Sequence, residues 1–134
     1  MRIHEYIWLM QNIHHIPPEE NIDQVIDGVA ACFLLLSEPS RLKIMRSICH
    51  GEKSVTSIVE ETCITQTNVS RHLGLMHRSG MVQRRREGNQ IFYRIVDLEM
   101  LNICQAVCER VMTKMGMQPL DQEQIPKFFL VKDE

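Results

Sequence analysis

SVTSIVEETCITQTNVSRHLGLMHRSGMVQRRREGNQIFYR, residues 54–94, parses as a short helix, a tight turn, a second helix and a two-stranded hairpin. The turn is TCIT, residues 62–65. Thr65 is placed to cap the second helix, because a threonine oxygen can accept a free amide of the following turn. From there Val69, Leu73 and Met76 fall at the i, i+4, i+7 spacing of a helix with one buried face. Thr67, Ser70 and Arg71 point the other way, and Gly74 keeps that side thin. After Gly80 the pattern changes to the short strand-like runs MVQRRR and QIFYR, joined by Glu87-Gly88-Asn89, a hairpin signal. The fold class expected is mainly α with a small β-hairpin wing. Such a winged helix-turn-helix presents its second helix to a major groove.

The charge distribution agrees. Between Thr65 and Arg94 there are six arginines against one acid, Glu87, a balance of +5 in a chain that carries −2 overall. A basic segment on an otherwise acidic chain fits a nucleic-acid edge on an ordinary domain. An arginine run alone is more simply a solvated hairpin; its place beside a helix-turn-helix changes that reading. Thr67, Ser70 and Arg71 are the candidates for contact with base edges, flanked by Thr65, Gln66, Asn68 and His72, with partial burial against Met76 as the alternative for His72. Arg84, Arg85 and Arg86, with Asn89 and Gln90, are the candidates for phosphate or minor groove.

LSEPSRLKIMRSICHGEKSV, followed by TQTNVSRHLGLMHRSGMVQRRREGNQIFYR, resembles the bacterial arsenic-repressor (ArsR/SmtB) family of winged-helix regulators. The patterns SxPxRLxI, xVSxHLxxLxxxGxV (with Met76 at its last leucine) and RxGxxxxY occur in that order, and the resemblance covers about residues 25 to 112. It implies a dimeric repressor that leaves its double-stranded DNA operator when a metal, metalloid or oxidant reaches a cysteine or histidine site. It also implies that the first long helix and the last helix pack together across the dimer two-fold.

The chain departs from three sensor patterns of that family. Positions 54–56, where arsenic sensors carry a cysteine pair, read Ser54-Val55-Thr56. Asp97 matches the zinc sensors, but Arg110 and Thr113 stand where their later ligands would be. Cys49 and Cys108 are offset from the cysteines of the sulfide- and redox-sensing members. Cys104 and Cys108 are one helical turn apart instead, with Cβ atoms expected ~5–6 Å from each other, too far for an unstrained disulfide. Two thiolates at that spacing can converge on a soft ion. Arsenite would want a third sulfur and zinc or cadmium typically four ligands, the remainder coming from Cys32 or from a partner subunit. As(III), Cd or Zn is therefore the candidate inducer, bound at Cys104, Cys108 and Cys32. A redox or persulfide switch, a constitutive repressor and plain packing of these small apolar side chains are the alternatives. Cys63 falls at a helix end where the family most often has a left-handed glycine.

The rest of the chain sets bounds. With 134 residues, 44% of them apolar, there is room for one compact domain. No apolar run approaches the ~20 residues of a membrane span and no signal pattern opens the chain, so a cytoplasmic protein without membrane partners is expected. Five cysteines with no paired framework agree with a reducing compartment. No CxxC or Cys–His constellation supports an enzyme. Residues 1–18 read as an extension, helical through Ile3, Ile7, Met10 and Ile13 until Pro17-Pro18, with His4, His14 and His15 as weak ligand candidates. Residues 19–116 form the domain, and 117–134 a tail ending in the apolar Phe128-Phe129-Leu130-Val131. Within the domain Ile22, Val25, Ile26, Val29, Phe33 and Leu36 make one apolar stripe over 19–36. A helix opens at Ser37-Glu38-Pro39, packs Leu42, Ile44, Met45 and Ile48, and closes at Gly51. Asp97 caps a last helix that Gly116 ends, with Leu98, Leu101, Cys104, Cys108, Val111, Met112 and Met115 on its apolar face.

Overall fold

The computed structural model describes residues 3–12 and 22–117. Its elements run α1 (Ile3–Asn12), α2 (Ile22–Leu36), α3 (Pro39–Ile48), β1 (Lys53–Ser54), α4 (Val55–Thr62), α5 (Gln66–Arg78), β2 (Val82–Glu87), β3 (Gln90–Ile95) and α6 (Leu98–Lys114). The expected architecture is present: a mainly helical chain with an antiparallel hairpin wing. The expected helical start at residue 19, the Pro17-Pro18 stop, His14, His15 and the tail from 118 onward lie outside the described residues.

Four helices and the hairpin close over one core. Ile44 of α3, Ile58 of α4, Val69, Leu73 and Met76 of α5, and Leu101 of α6 are fully buried together. Side chains of this size each contribute ~1.5–3 kcal/mol on leaving water, so this cluster fixes how α5 sits on the domain. The sheet order is β1-β3-β2, all antiparallel. Glu87 pairs with Gln90, leaving Gly88-Asn89 as the loop, and Gly88 takes φ 59° as a tight hairpin requires. β1 was not foreseen; its two residues pair with Phe92 and Tyr93 and tie the start of α4 to the wing.

Helix ends mostly follow the sequence. Asp97 accepts the Met100 amide at 3.1 Å. At the other end of α6, Gly116 is left-handed at φ 74°, and Met117 N and Gly116 N donate to Met112 O and Thr113 O, a complete Schellman stop. Gly51 does not close α3. That helix ends at Ile48 with Cys49 in right-handed conformation, and Gly51 only donates a 3.4 Å bond back to Ile48 O.

The two long helices keep much of their apolar faces outside this chain's core, on the helices that the family resemblance assigns to a dimer contact. On α2 the residues turned into this chain are Gly28, Ala31 and Leu35. Ile22, Val25, Ile26, Val29 and Phe33, the rest of the expected apolar stripe apart from half-buried Leu36, stand at least half exposed. On α6, Met100, Leu101 and Cys104 are buried, while Leu98, Ile103, Val107, Val111 and Met115 are exposed. Helical periodicity shows that a face is apolar, not whether this chain covers it. α1 packs against α2 and buries Ile7, leaves Trp8 exposed, and Gln11 donates to the Arg78 carbonyl at 3.4 Å. No helix among the described residues is long and apolar enough to cross a membrane.

Candidate nucleic-acid interface

The reading helix is held at both ends of the turn before it. Ser54 Oγ accepts the Ser57 amide at 3.1 Å and starts α4. Cys63 ends that helix at φ 57° and donates its amide to Val59 O at 3.0 Å. It is the one described non-glycine residue with positive φ, a conformation disfavoured by about 1–2 kcal/mol for a residue with a Cβ. Its thiol is exposed. Thr65 then caps α5, accepting the Asn68 amide at 3.4 Å.

Along α5 the sequence pattern is realised. Val69, Leu73 and Met76 are buried, and Thr65, Gln66, Thr67, Asn68, Ser70 and Arg71 are exposed on the opposite side. Arg71 donates to Asn68 Oδ1 at 3.2 Å, which orients the guanidinium along the outer face. His72 takes the buried alternative and not a place beside its polar neighbours. It is 3% exposed, its Nε2 lies 3.2 Å from Glu38 Oε1, and it has no access to a base or phosphate. Burial holds its pKa below the usual imidazole value, Glu38 opposing and Arg71 and Arg41 adding to the effect. The signal was in the spacing, since His72 lies three residues after Val69 and four before Met76, on the edge of the buried face.

The wing arginines do not stand alike. Arg84, Arg85, Arg86, Asn89 and Gln90 are all exposed. Arg85, however, bonds Glu52 at 2.6 and 2.8 Å and Glu87 at 2.6 Å, and stacks 4.5 Å above the Phe92 ring. Those two carboxylates hold its pKa above the ordinary guanidinium value, and Arg85 in turn lowers that of Glu52. Side chains alternate along a strand, so Arg84 and Arg86 leave the other face of β2. Arg84 is near enough to His77 on α5 to help lower that imidazole's pKa, after burial. Arg86 donates to Gly88 O at 3.3 Å. Arg94 is tied to Gln83 at 2.5 Å.

The cysteines form a pair rather than a cluster. Cys104 is buried and Cys108 half-buried, both on the wall of a cavity of about 580 Å³ between the end of α2, α3 and α6. Leu42, Lys43 and Arg46 of α3 face them across it. Burial, then the neighbouring Cys108, pushes the Cys104 thiol up to about 11. Burial and Glu109 also raise Cys108, whose Sγ lies 3.4 Å from Met112 Sδ. Cys32 is half-buried on α2 and does not line the cavity. Among the described residues no three His, Cys, Asp or Glu side chains converge as a metal site, so the expected trio is not assembled within one chain.

Comparison with known proteins places this geometry among regulators. Residues 38–84 match the pattern of bacterial regulatory proteins of the arsR family. The chain is 38% identical over 85 residues to the "Probable mercury resistance operon repressor" of Streptomyces lividans, spanning 60% of this chain and 68% of the relative. It is 32% identical over 88 residues to the biofilm growth-associated repressor of Xylella fastidiosa, spanning 66% of this chain and 77% of that one. Among solved structures, the repressor BigR from Xylella fastidiosa matches with TM-score 0.59 and 31% identity, covering 68% of this chain and 93% of BigR. The homodimeric winged helix-turn-helix DNA-binding domain Mb0332 from Mycobacterium bovis matches with TM-score 0.61 and 25% identity, covering 77% and 94%.

Proposed function

As the chain belongs to the arsR family of winged helix-turn-helix transcriptional regulators, and so is not an enzyme, we propose that it is a homodimeric repressor released from its operator by a thiol-binding ion. The observation that carries the DNA reading is the division of α5. Its buried face, Val69, Leu73 and Met76, anchors it rigidly, and its outer face offers Thr67, Ser70 and Arg71 beside Arg84 and Arg86. Side chains presented this way read base edges while the wing holds phosphate. The second copy is supplied by the exposed apolar faces of α2 and α6, which are costly to leave in water. Pairing them sets two α5 helices about one helical turn apart on a near-palindromic site.

The inducer reading rests on Cys104 and Cys108. Both thiols are protonated at neutral pH, which disfavours rapid oxidation and means that an ion must displace protons to bind. One chain offers two sulfurs. They suffice for a two-coordinate soft ion such as mercuric ion, in keeping with the Streptomyces relative's name, whereas arsenite, cadmium or zinc needs ligands from the partner copy as well.

Fluorescence anisotropy on DNA from upstream of its own gene tests both parts. The protein is titrated with mercuric ion, arsenite, cadmium, zinc and a mild oxidant, in wild type and in Cys104→Ser/Cys108→Ser. Release by one metal ion in wild type, lost in an intact double-mutant dimer, is the expected result. Equal release from both proteins removes the pair from the mechanism. Release by the oxidant alone replaces metal sensing with a redox switch.

A further inference from the structure

Glu38 sits where three helices meet. It occupies the N-cap position of α3, yet its side chain makes no capping bond to that helix. Its Oε2 instead accepts from Arg41 Nη1 at 2.8 Å, and its Oε1 lies 3.2 Å from His72 Nε2 on α5. Arg41 spends the rest of its fork on α2, Nε donating to Leu35 O at 2.6 Å and Nη2 to Leu34 O at 3.0 Å. Those carbonyls belong to the last turn of α2, where Leu34 O also accepts from Ser37 N at 3.2 Å and Ser37 Oγ at 2.7 Å. Arg41 and His72 are 6% and 3% exposed. A continuous run of charge-assisted contacts thus leads from the end of α2, through the first turn of α3, to the middle of the reading helix.

Such an arrangement is a poor way to gain stability. Burying an arginine and an imidazole costs desolvation that a well-packed apolar trio would avoid, and Glu38 forgoes its cap as well. Burial lowers the pKa of both Arg41 and His72. What Arg41's bonds to Glu38, Leu35 and Leu34 supply and an apolar contact does not is direction, because such bonds weaken steeply with angle. They fix the carboxylate that stands 3.2 Å from His72 Nε2. His72 adjoins Arg71 in the chain and leaves the helix on the other side, so fixing His72 fixes where Arg71 and Ser70 point.

We propose that Glu38, Arg41 and His72 form a positioning clamp that sets the rotation of α5 and hence the angle at which Thr67, Ser70 and Arg71 meet the bases. The proposal rests on the DNA-binding reading and concerns only residues that touch no DNA.

The test measures two affinities for each variant by anisotropy: for a duplex selected by wild type from a randomised library, and for a scrambled duplex of equal length. Glu38→Gln and His72→Gln each weaken binding to the selected duplex roughly tenfold, the scale of a lost hydrogen bond to a charged group. Scrambled-duplex affinity, which depends on charge rather than angle, stays within about twofold. The double variant is no worse than either single one, because both break one chain of contacts. If Glu38→Gln does not fold, Arg41→Lys carries the same expectation, since an ammonium cannot serve both α2 carbonyls and the carboxylate in one plane. An unchanged affinity ratio with a lowered melting temperature would make the trio a packing feature and overturn the proposal, as would fully additive losses. Failure of wild type to select any duplex overturns the DNA-binding reading itself.

Discussion

Arg84 and Arg85 are adjacent, equally charged and both exposed, yet the structure predicts different roles in binding DNA. Arg85 is already held by Glu52 and Glu87 at 2.6 Å each, so the trio carries a net negative charge and has no guanidinium to spare for phosphate. Arg84 leaves the other face of β2 toward α5. Each phosphate neutralised by a side chain contributes about −0.9 to the slope of log K against log salt. A dimer carries two copies of each arginine, so Arg84→Ala reduces the magnitude of that slope by roughly 1.8, whereas Arg85→Ala leaves it unchanged within about 0.3. Anisotropy titrations over a range of potassium chloride concentrations measure the slopes, with Arg86→Ala as a reference on the same strand face as Arg84. Equal slope losses for Arg84→Ala and Arg85→Ala would show that the Glu52 and Glu87 pairs open on DNA, and would refute the reasoning.

Four other outcomes are expected. Removing a helix cap, Thr65→Ala or Asp97→Ala, costs about 1 kcal/mol each in chemical denaturation, since the Asn68 and Met100 amides lose their acceptors. Cys63→Gly relieves the left-handed strain at φ 57° and raises stability by up to about 1 kcal/mol without changing operator affinity. Val29→Glu on the outward stripe of α2 yields a helical monomer by sedimentation and far-ultraviolet dichroism; a persistent dimer would place the interface elsewhere. Stability declines with acid: His72 and His77 both have lowered pKa values, so as pH falls below about 6.5 the unfolded chain takes up protons first. The contribution is full above that pH and is lost below it, and His72→Gln removes part of the slope in pH-dependent denaturation.

Much of this was legible in the sequence, and what was not shares a physical cause. The turn, both caps of the last two helices, the hairpin and the split of α5 depend on residues within a few positions of each other, where spacing and turn chemistry suffice. β1 has only Lys53 and Ser54, too short to show alternation, and exists because Tyr93 and Phe92 lie opposite it. His72 was placed with its polar neighbours although its partner, Glu38, comes from another helix. Spacing groups Arg85 with Arg84 because its partner Glu52 stands 33 residues away, before β1; only Glu87, two residues on along β2, is local. The stripe of α2 is legible as apolar from its spacing, but that a second copy covers it comes from the family resemblance and not from periodicity. Spacing shows where a side chain points; it does not show what meets it there.

Helix α3 gives a reason why an ion at the thiols would be felt by DNA. Its residues Leu42, Lys43 and Arg46 line the cavity that contains Cys104 and Cys108, and its first turn supplies the Glu38 and Arg41 contacts to α2 and α5. Packed interiors yield by shifting whole elements rather than by deforming smoothly. An ion seated between these sulfurs and α3 would therefore move α3 as a body, and the carboxylate of Glu38 with it. The coupling has to be reciprocal: operator DNA must weaken ion binding by the same factor as the ion weakens operator binding. Glu38→Gln, which cuts the path without touching either site, should reduce that factor in both directions. A factor left intact by Glu38→Gln would mean that the signal reaches α5 through the dimer interface instead.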